Sequence, residues 1–263
     1  MRAAVWQRLA ELNRDFYEAH GEAFAETRPR LAPGAQRVLA RIPPGAAVLE
    51  VGCGDGKAGR WLAQQTAGVT YLGLDASQTL LARARRYTAH WAAGRPAPAA
   101  LAFQAADLLD PAWPAGLGTQ TFQWGLAFAV LHHLPGAETR AAVVRALAER
   151  LAPAGWLALS NWQFAQDARL RRRTAPWDAI GLTAADVEPD DYLLTWERAG
   201  RRGLRYVHAI STAEVRALAA QAGLTVAEIF QADGGPGNLA EYGLLRRPPL
   251  HQTGRSAADV SLI

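Results

Sequence analysis

Three glycines stand at alternating positions where an apolar run passes into a helical pattern. They are Gly52, Gly54 and Gly56. Glycine permits a tight turn and lets a ligand approach the backbone closely. The dinucleotide fingerprint G-x-G-x-x-G would need its third glycine at position 57, where this chain has Lys57. Glu50 stands just ahead of the loop, and its negative charge would repel a pyrophosphate. The spacing instead suits a ligand that carries an ammonium group and a sulfonium.

Two further carboxylates stand at the ends of predicted strands. Asp75 closes the run "YLGLD", and Asp107 closes "ALAFQAAD". A carboxylate at the first of these ends can accept both hydroxyls of a ribose. The second could hold an adenine amino group. Together with the glycine loop and Glu50, these positions describe a site for S-adenosylmethionine.

The elements that must carry these residues alternate between strand and helix patterns. Strand-like runs cover 46–52, 69–75, 100–107, 121–131 and 156–162, with helical periodicity between most of them. Such alternation predicts a parallel, doubly wound sheet. Two closing strands at 224–232 and 238–247 suggest an antiparallel end. The predicted fold is therefore α/β and Rossmann-like, with a seven-stranded, mostly parallel sheet.

The flanks of this pattern define the expected domain organisation. Residues 1–44 form an N-terminal helical cap whose first helix covers 2–20, and residues 45–247 form the main domain. Within it, residues 163–205 lack a clear period and are expected to be a cap segment inserted over the carboxyl edge of the sheet. Residues 248–263 are expected to be a flexible tail.

Composition indicates an ordinary globular protein. The chain has 263 residues, of which 50% are hydrophobic and 20% charged. We expect a cytoplasmic protein without a membrane span, because no apolar run is long enough and the N-terminus lacks a secretory signal. Cys53 is the only cysteine, which excludes an internal disulfide and a cysteine metal cluster. Lys57 is the only lysine among 28 basic residues, so the net charge of +4 reflects an arginine-rich composition rather than a design for nucleic acid.

The glycine loop and the acidic strand ends resemble the motif set of the class I S-adenosylmethionine-dependent methyltransferases over roughly residues 45–160. The resemblance implies that Gly52 and Gly54 pass under the methionine part of the cofactor. Asp75 would bind the ribose, and Asp107 with Leu108 would flank the adenine. The full set of expected cofactor contacts is Tyr17, Glu50, Gly52, Cys53, Gly54, Gly56, Asp75, Ala76, Asp107, Leu108 and Ala127.

The end of the fourth predicted strand, "LAFAVLHHLP", would lie beside the transferable methyl group in this family. Its two histidines do not indicate a metal, because neighbouring side chains diverge and no cysteine or carboxylate cluster joins them. His132 is expected to position the substrate or to pack over the cofactor. His133 has either that role or a structural one.

Both flanks resemble the tRNA methyltransferases that esterify 5-carboxymethyluridine at the wobble position, which extends the resemblance to about Arg247. The matching elements are Tyr17, Phe24, Thr27, Arg28, the run Asp191–Trp196, Tyr206 and His208. A carboxylate acceptor is already ionised at neutral pH, so its methylation needs no general base. It needs a cation to hold it, and the candidates are Arg28 and Arg205, supported by His208.

The inserted segment leaves two interpretations open. Seven of its arginines are interleaved with Trp177 and Trp196. They are Arg169, Arg171, Arg172, Arg173, Arg198, Arg201 and Arg202. Arginines and exposed aromatic rings together could bind an anticodon loop. Alternatively, the segment is a solvated cap whose tryptophans pack on the sheet.

Three functions are therefore weighed. The first is methylation of a carboxylate on a modified wobble uridine in tRNA. The second is methylation of a small metabolite such as a quinone, a lipid or another small acid, with residues 163–205 as a lid. The third is a non-catalytic module that binds S-adenosylmethionine. A partner protein, which eukaryotic members of the tRNA group usually require, is left open.

Overall fold

A seven-stranded sheet runs through the computed structural model, which describes residues 1–93 and 100–249. The strands are β1 (Ala47–Val51), β2 (Thr70–Asp75), β3 (Ala100–Ala105), β4 (Phe122–Phe128), β5 (Leu151–Trp162), β9 (Thr225–Ala232) and β10 (Ala240–Arg246). Their order across the sheet is β3-β2-β1-β4-β5-β10-β9. The first five are parallel, and β10 is antiparallel to both β5 and β9. The predicted seven-stranded α/β fold with an antiparallel end is confirmed.

Helices cover both faces of this sheet. They are α1 (Ala3–Glu26), α2 (Pro33–Leu39), α3 (Lys57–Gln65), α4 (Gln78–Ala92), α5 (Ala137–Arg150), α6 (Ala168–Arg171) and α7 (Thr212–Gln221). Ser77 caps α4 by accepting the Leu80 N–H at 3.3 Å, and Ser211 caps α7 by accepting the Glu214 N–H at 3.2 Å. Of the helices described, none is both long and apolar enough to span a bilayer.

The central strands are apolar on both faces because helices cover each side. In β1, Val48 belongs to the core layer that includes Leu39 and Leu62 of α2 and α3. Leu49 belongs to the opposite layer, with Val144 of α5. The sheet is therefore a buried platform, and its polar strand ends collect at one edge.

A second, three-stranded antiparallel sheet forms over the carboxyl edge. It consists of β6 (Thr174–Ala175), β7 (Asp191–Arg198) and β8 (Arg201–His208), in the order β6-β7-β8. The segment predicted to lack a period thus contains a hairpin, which runs three residues past the expected limit of 205. We refer to these three strands as the cap sheet.

Helix α1 lies between the cap sheet and α4. It continues six residues beyond the predicted end at His20, and its Gly21 lies close to Leu80 of α4. Toward β8, α1 is bound by buried groups: Asn13 accepts the Tyr206 N–H at 2.8 Å. On the side of α1 that faces α4 and the ends of β2 and β3, the contacts are polar. They are made by a stripe of charged side chains that recur every four residues along the helix. The stripe comprises Arg14, Glu18, Glu22 and Glu26.

The predicted tail begins at Pro248. Its residues 250–263 lie outside the described part of the chain.

Candidate active site

The three glycines of the loop after β1 all have left-handed backbone, with φ of 64°, 54° and 75° at Gly52, Gly54 and Gly56. At Gly52 a Cβ atom would lie 2.4 Å from Val130, and at Gly56 it would lie 2.7 Å from Phe103. At Gly54 it would meet nothing within 4 Å. Two of the glycines are therefore required by packing, whereas Gly54 borders open space that a ligand can enter.

Asp75 ties the end of β2 to this loop. Its Oδ2 accepts the Gly54 N–H at 2.8 Å, and its Oδ1 accepts the Ser77 N–H at 2.9 Å. Burial raises the pKa of this carboxyl even though the backbone donors oppose the shift. Each oxygen retains a second lone pair, so the carboxylate can still accept hydroxyl donors.

The end of β3 is bridged to α1. Asp107 Oδ2 accepts from Arg14 at 2.9 Å, and its Oδ1 accepts the Leu109 N–H at 3.0 Å. Glu18, one turn further along α1, accepts from the Ser77 hydroxyl at 2.9 Å. Helix α1 therefore covers the two strand ends that are predicted to hold the ribose and the adenine.

Glu50 is buried, with 4% of its surface exposed, and Tyr71 donates a hydrogen bond to it. Burial raises the pKa of Glu50 to about 8. A buried carboxyl with such a pKa would be stabilised in its charged form by a cationic ligand beside the loop. The thiol of Cys53 is also buried, which raises its pKa and keeps it neutral.

The remaining expected cofactor contacts lie at different depths. Ala76 is exposed at the end of β2, and Leu108 is partly buried against the core. Ala127 is 0% exposed, because its side chain packs in the core layer beneath α5. The side chain of Ala127 therefore offers no surface to a ligand, and the expected cofactor contact there stays a prediction that concerns its backbone. The strand end presents Ala129 instead, which is exposed and has φ of 57°.

Arg205 and Arg28, predicted as carboxylate ligands, lie close together. Arg205 is 5% exposed, and its guanidinium carbon lies 4.8 Å from the ring centroid of Phe24, 5.1 Å from that of Trp162 and 5.7 Å from that of Phe16. Arg28 lies over the same Phe24 ring at 4.1 Å. Aromatic faces thus hold two cations at the carboxyl edge of the sheet.

These cations have no acidic counterpart. Within residues 1–93 and 100–249, neither Arg28 nor Arg205 forms an ion pair, and the buried Nε of Arg205 has no hydrogen-bond partner. Arg28 is exposed, and it donates to the Thr27 hydroxyl at 3.0 Å; partial desolvation, followed by the charge of Arg205, lowers its pKa. His132 is 2% exposed, and burial followed by the charges of Arg205 and Arg28 lowers its pKa to about 3, so it is neutral. A bound anion would relieve this concentration of positive charge.

Tyr17 lies at the same place. Its hydroxyl is 2.8 Å from His133 Nε2, and its ring lies 5.6 Å from that of Phe24, over which Arg205 also lies. Tyr17 was expected to contact the cofactor through its position in the flank. The structure instead brings its hydroxyl to the arginine side of the site.

His208 has a different environment from the one expected. Its Nδ1 lies 2.7 Å from Asp191 Oδ1 and its Nε2 lies 3.0 Å from Glu214 Oε2. Burial opposes protonation, but these two hydrogen bonds raise its pKa to about 9. Both ring nitrogens are thus engaged within the protein, which weighs against the expected support of a substrate carboxylate by His208. The residue joins β8 to α7.

Glu188, Asp191 and His208 have the spacing of a metal site. Their polar atoms are nevertheless engaged. Arg140, which is 2% exposed, donates to Glu188 at 2.9 Å, and the Ala137 N–H donates to the other Glu188 oxygen at 2.9 Å. The group is a buried ion network that fastens the cap sheet to α5 and α7.

The tryptophans of the inserted segment are packed. Trp196 is 7% exposed and meets the edge of Phe16 at 5.7 Å, and Trp177 packs against Val5, Leu9 and Tyr206. Neither ring is free to stack a base. Seven arginines of the segment are exposed, as expected for a solvated cap, whereas the eighth, Arg205, is buried.

Sequence reasoning missed several residues of this site. Asn13 and Phe24 lie with Tyr17 on the face of α1 that meets β8, and Trp162 ends β5. Tyr17 and His133 are named from the sequence, but their pairing is not. The spacing of polar and aromatic residues on α1, at intervals of four and seven, was a signal for such a face. The pairing with His133 has no counterpart in the sequence pattern.

The fold and the site together define a class of protein. A parallel sheet with Glu50 in β1, a glycine loop after β1 and Asp75 at the end of β2 can bind an adenosyl cofactor that carries positive charge. The open space at Gly54, the buried carboxyl of Glu50 and the remaining lone pairs of Asp75 fit S-adenosylmethionine.

Comparison with known proteins agrees with this definition. Residues 49–157 match the family described as "Methyltransferase domain". Over 66 residues the chain is 46% identical to a trans-aconitate 2-methyltransferase of Delftia acidovorans, which is 24% of this chain and 24% of that relative. The chain therefore contains a region similar to methyltransferase domains, and its cofactor is S-adenosylmethionine.

Solved structures share the fold. An S-adenosylmethionine-dependent methyltransferase of Methanosarcina mazei superposes with a TM-score of 0.63 at 16% identity, covering 84% of this chain and 99% of that one. Magnesium protoporphyrin IX methyltransferase of Synechocystis, with bound S-adenosylmethionine, superposes with a TM-score of 0.57 at 18% identity, covering 89% and 94%.

Proposed function

We propose that this protein transfers a methyl group from S-adenosylmethionine to a carboxylate of a small organic acid. The observation that carries the proposal is Arg205, which is buried in an aromatic enclosure at the carboxyl edge. The exposed Arg28 lies over the same Phe24 ring, and neither arginine has an acidic partner among the described residues. Burying an unpaired cation is costly. An acceptor carboxylate would supply the missing counter-charge.

The chain's own residues divide the work. Gly54, Glu50 and Asp75 would hold the cofactor, which when bound supplies a methyl group on a sulfonium. Arg205 and Arg28 would hold and orient the acceptor carboxylate by charge-assisted hydrogen bonds. No residue has to remove a proton, because the carboxylate is ionised at neutral pH. Catalysis then rests on the proximity and alignment of the carboxylate and the methyl group. Helix α1 and the cap sheet cover the site and exclude water from it.

The name of the relative agrees with a small acid. The Delftia acidovorans protein is named for trans-aconitate, and trans-aconitate carries carboxylates. The chain matches only 24% of that protein's length, so the likeness supports the chemical class of acceptor and not this particular acid.

The wobble-uridine ester in tRNA uses the same chemistry and is the second candidate. The observation that favours it is the exposed set of arginines on the cap sheet and α6. The packing of Trp177 and Trp196 weighs against it, since a single-stranded loop is usually bound by exposed rings. The small acid is therefore preferred.

The test is methyl transfer from radiolabelled S-adenosylmethionine to three fractions: trans-aconitate, a panel of mono- and dicarboxylic acids, and bulk tRNA. Label in an acid that mild alkali releases is the expected result, because it identifies an ester. Alkali-labile label in tRNA alone would replace the small acid by the wobble uridine. Cofactor binding without transfer to any fraction would indicate a non-catalytic module.

Variants connect the activity to the arginine pair. Arg205→Gln should raise the KM for the acid about a hundredfold and Arg28→Gln about tenfold, because each removes a charge-assisted hydrogen bond. The matched control is Arg216→Gln, on the exposed face of α7. A normal KM in Arg205→Gln would reject the proposed carboxylate site.

A further inference from the structure

We propose that Arg14 of α1 is a positioning residue for the cofactor: it fixes the carboxylate of Asp107 so that this group selects the amino group of adenine. The inference builds on the expected contact of Asp107 with the adenine. It does not depend on which acceptor receives the methyl group. It assigns a role to a residue outside the expected set of cofactor contacts.

Arg14 stands on a part of α1 that is held in place. The preceding residue, Asn13, is 7% exposed. Its Nδ2 donates to the carbonyl of His133 at 3.0 Å and to that of Tyr206 at 3.1 Å, and its Oδ1 accepts the Tyr206 N–H at 2.8 Å. Helix α1, the turn after β4 and strand β8 are joined by these bonds. The backbone that carries Arg14 is therefore fixed relative to the sheet, even though its side chain lies at the surface.

Asp107 is held on both of its carboxylate oxygens. Oδ1 accepts the Leu109 N–H at 3.0 Å, and Oδ2 accepts from Arg14 at 2.9 Å. The backbone just before it is also fixed, because the Ala106 N–H donates to the Asp75 carbonyl at 3.0 Å. Asp107 thus lies next to the end of β2, and two donors set the plane of its carboxylate. Each oxygen keeps a lone pair for a further donor.

The same helix reaches the ribose side of the site. Glu18, one turn after Arg14, accepts from the Ser77 hydroxyl at 2.9 Å. The Ser77 N–H in turn donates to Asp75 Oδ1 at 2.9 Å. Because residues four apart lie on one face of a helix, Arg14 and Glu18 contact the two neighbouring strand ends together. This face of α1 therefore follows the expected path of the adenosine part of the cofactor.

The ion pair contributes order rather than stability. The side chains of Arg14 and Asp107 are 57% and 35% exposed, and exposed pairs add little to the free energy of unfolding. A carboxylate held by two donors has nevertheless lost its rotamer freedom before a ligand arrives, so binding does not have to supply that cost. Loss of Arg14 should therefore weaken ligand binding without a matching loss of stability.

The chemistry of the carboxylate determines what it selects. A carboxylate accepts hydrogen bonds and donates none. Adenine presents an amino group, which donates, whereas hypoxanthine presents a carbonyl oxygen at the same position, which would meet the carboxylate as a second acceptor. A site whose polar group is fixed rejects such a mismatch, while a mobile side chain can turn away from it into water. Arg14 thus makes Asp107 a selective acceptor.

The experiment measures the Kd values for S-adenosylhomocysteine and S-inosylhomocysteine by calorimetric titration of the full chain. The two ligands differ only in the base, where hypoxanthine replaces adenine. The wild type should bind the adenine compound at least about tenfold more tightly. Arg14→Gln should raise the Kd for S-adenosylhomocysteine about tenfold and leave the Kd for S-inosylhomocysteine nearly unchanged, so the selectivity is lost. The Tm of the unliganded variant should fall by less than about 4 °C.

Three further variants connect the effect to Asp107. Arg8→Gln removes an exposed arginine of the same helix that has no ion pair among the described residues, and it should behave as wild type. Arg14→Lys keeps the charge and a donor, so its selectivity should lie between those of the wild type and Arg14→Gln. If Arg14 acts through Asp107, then Arg14→Gln has no further effect on the Kd in the Asp107→Ala background.

Three results would overturn the inference. The first is a normal affinity of Arg14→Gln for S-adenosylhomocysteine. The second is an equal loss for both ligands, because this would reflect a displacement of α1 and not the selection of a base. The third is a wild type that does not distinguish the two ligands, since Asp107 would then not contact the amino group. No acceptor is present in these titrations, so each result leaves the proposed carboxylate methylation intact.

Discussion

Replacing Gly54 by alanine separates cofactor binding from folding. Gly54 has φ of 54°, and a Cβ atom there would meet no protein atom within 4 Å. The left-handed backbone costs a residue with a side chain about 1–2 kcal/mol. In a chain of this size, that cost corresponds to a fall in Tm of roughly 2–8 °C. The variant should fold, but its methyl group would enter the space reserved for the cofactor. We expect its Kd for S-adenosylmethionine to rise at least tenfold.

Two other glycines calibrate this experiment. Gly45 has φ of 75°, also with nothing within 4 Å, and it precedes β1 at the opposite end of the strand. Gly45→Ala should therefore lower Tm by a similar amount without changing the affinity. In Gly52→Ala the new Cβ atom would lie 2.4 Å from Val130. This overlap should lower the free energy of unfolding by about 1–3 kcal/mol more.

The assays are calorimetric titration with S-adenosylmethionine and thermal unfolding without ligand. If Gly54→Ala bound the cofactor as tightly as Gly45→Ala, the cofactor would not lie over Gly54. If Gly45→Ala also lost affinity, the effect would come from strain transmitted through β1, and the reasoning from open space would be refuted.

Three further predictions concern charged groups. Asp75→Ala should lower the affinity for S-adenosylmethionine at least tenfold, as measured by calorimetry. The reason is that it removes the acceptor for the Gly54 and Ser77 N–H groups and for a ribose. Unchanged affinity would reject the ribose site. Because burial raises the pKa of Glu50 to about 8, the free energy of unfolding should fall as pH rises from 4.5 to about 8, by up to about 1.4 kcal/mol per pH unit. Urea titrations of Glu50→Gln should lack this contribution. The protonated form of His208 is stabilised in the folded protein. Its contribution to the free energy of unfolding should therefore be complete below pH 6.5 and lost as pH rises through about 9. A His208→Gln variant with the wild-type pH profile of stability would contradict the ion network.

The main sheet could be predicted because its signals are local. Strands β1, β2 and β3 end at Val51, Asp75 and Ala105, each beside glycines or an acidic residue. Parallel strands bring these ends to one edge of the sheet. The loop conformation also follows from residue type, since Gly52, Gly54 and Gly56 are the residues that tolerate positive φ.

The cap sheet could not be predicted in the same way. Strand β8 is exposed over its first residues and buried over its last four, so no alternation of period two arises. Near Arg201 the hairpin projects into solvent on both faces, and near Val207 it is covered on both faces. The periodicity that identifies a half-buried strand is therefore absent.

The partners of site residues are likewise set by tertiary structure. The sequence brought Arg28 and Arg205 together as a hypothesis, and packing on Phe24 places them there. The same reasoning failed for His208, because nothing in the chain order reveals that Asp191 and Glu214 lie on either side of its ring.

The two sides of α1 have a mechanical consequence. On one side Asn13 and Phe16 are buried against β8, while on the other Arg14, Glu22 and Glu26 form ion pairs that water reaches. Exposed ion pairs are weak and are screened by salt. Separation is therefore easiest at the cofactor end of α1, beside α4 and the ends of β2 and β3. The buried contacts of α1 with β8, and the ion network that fastens the cap sheet to α5 and α7, keep the arginine end of the site closed.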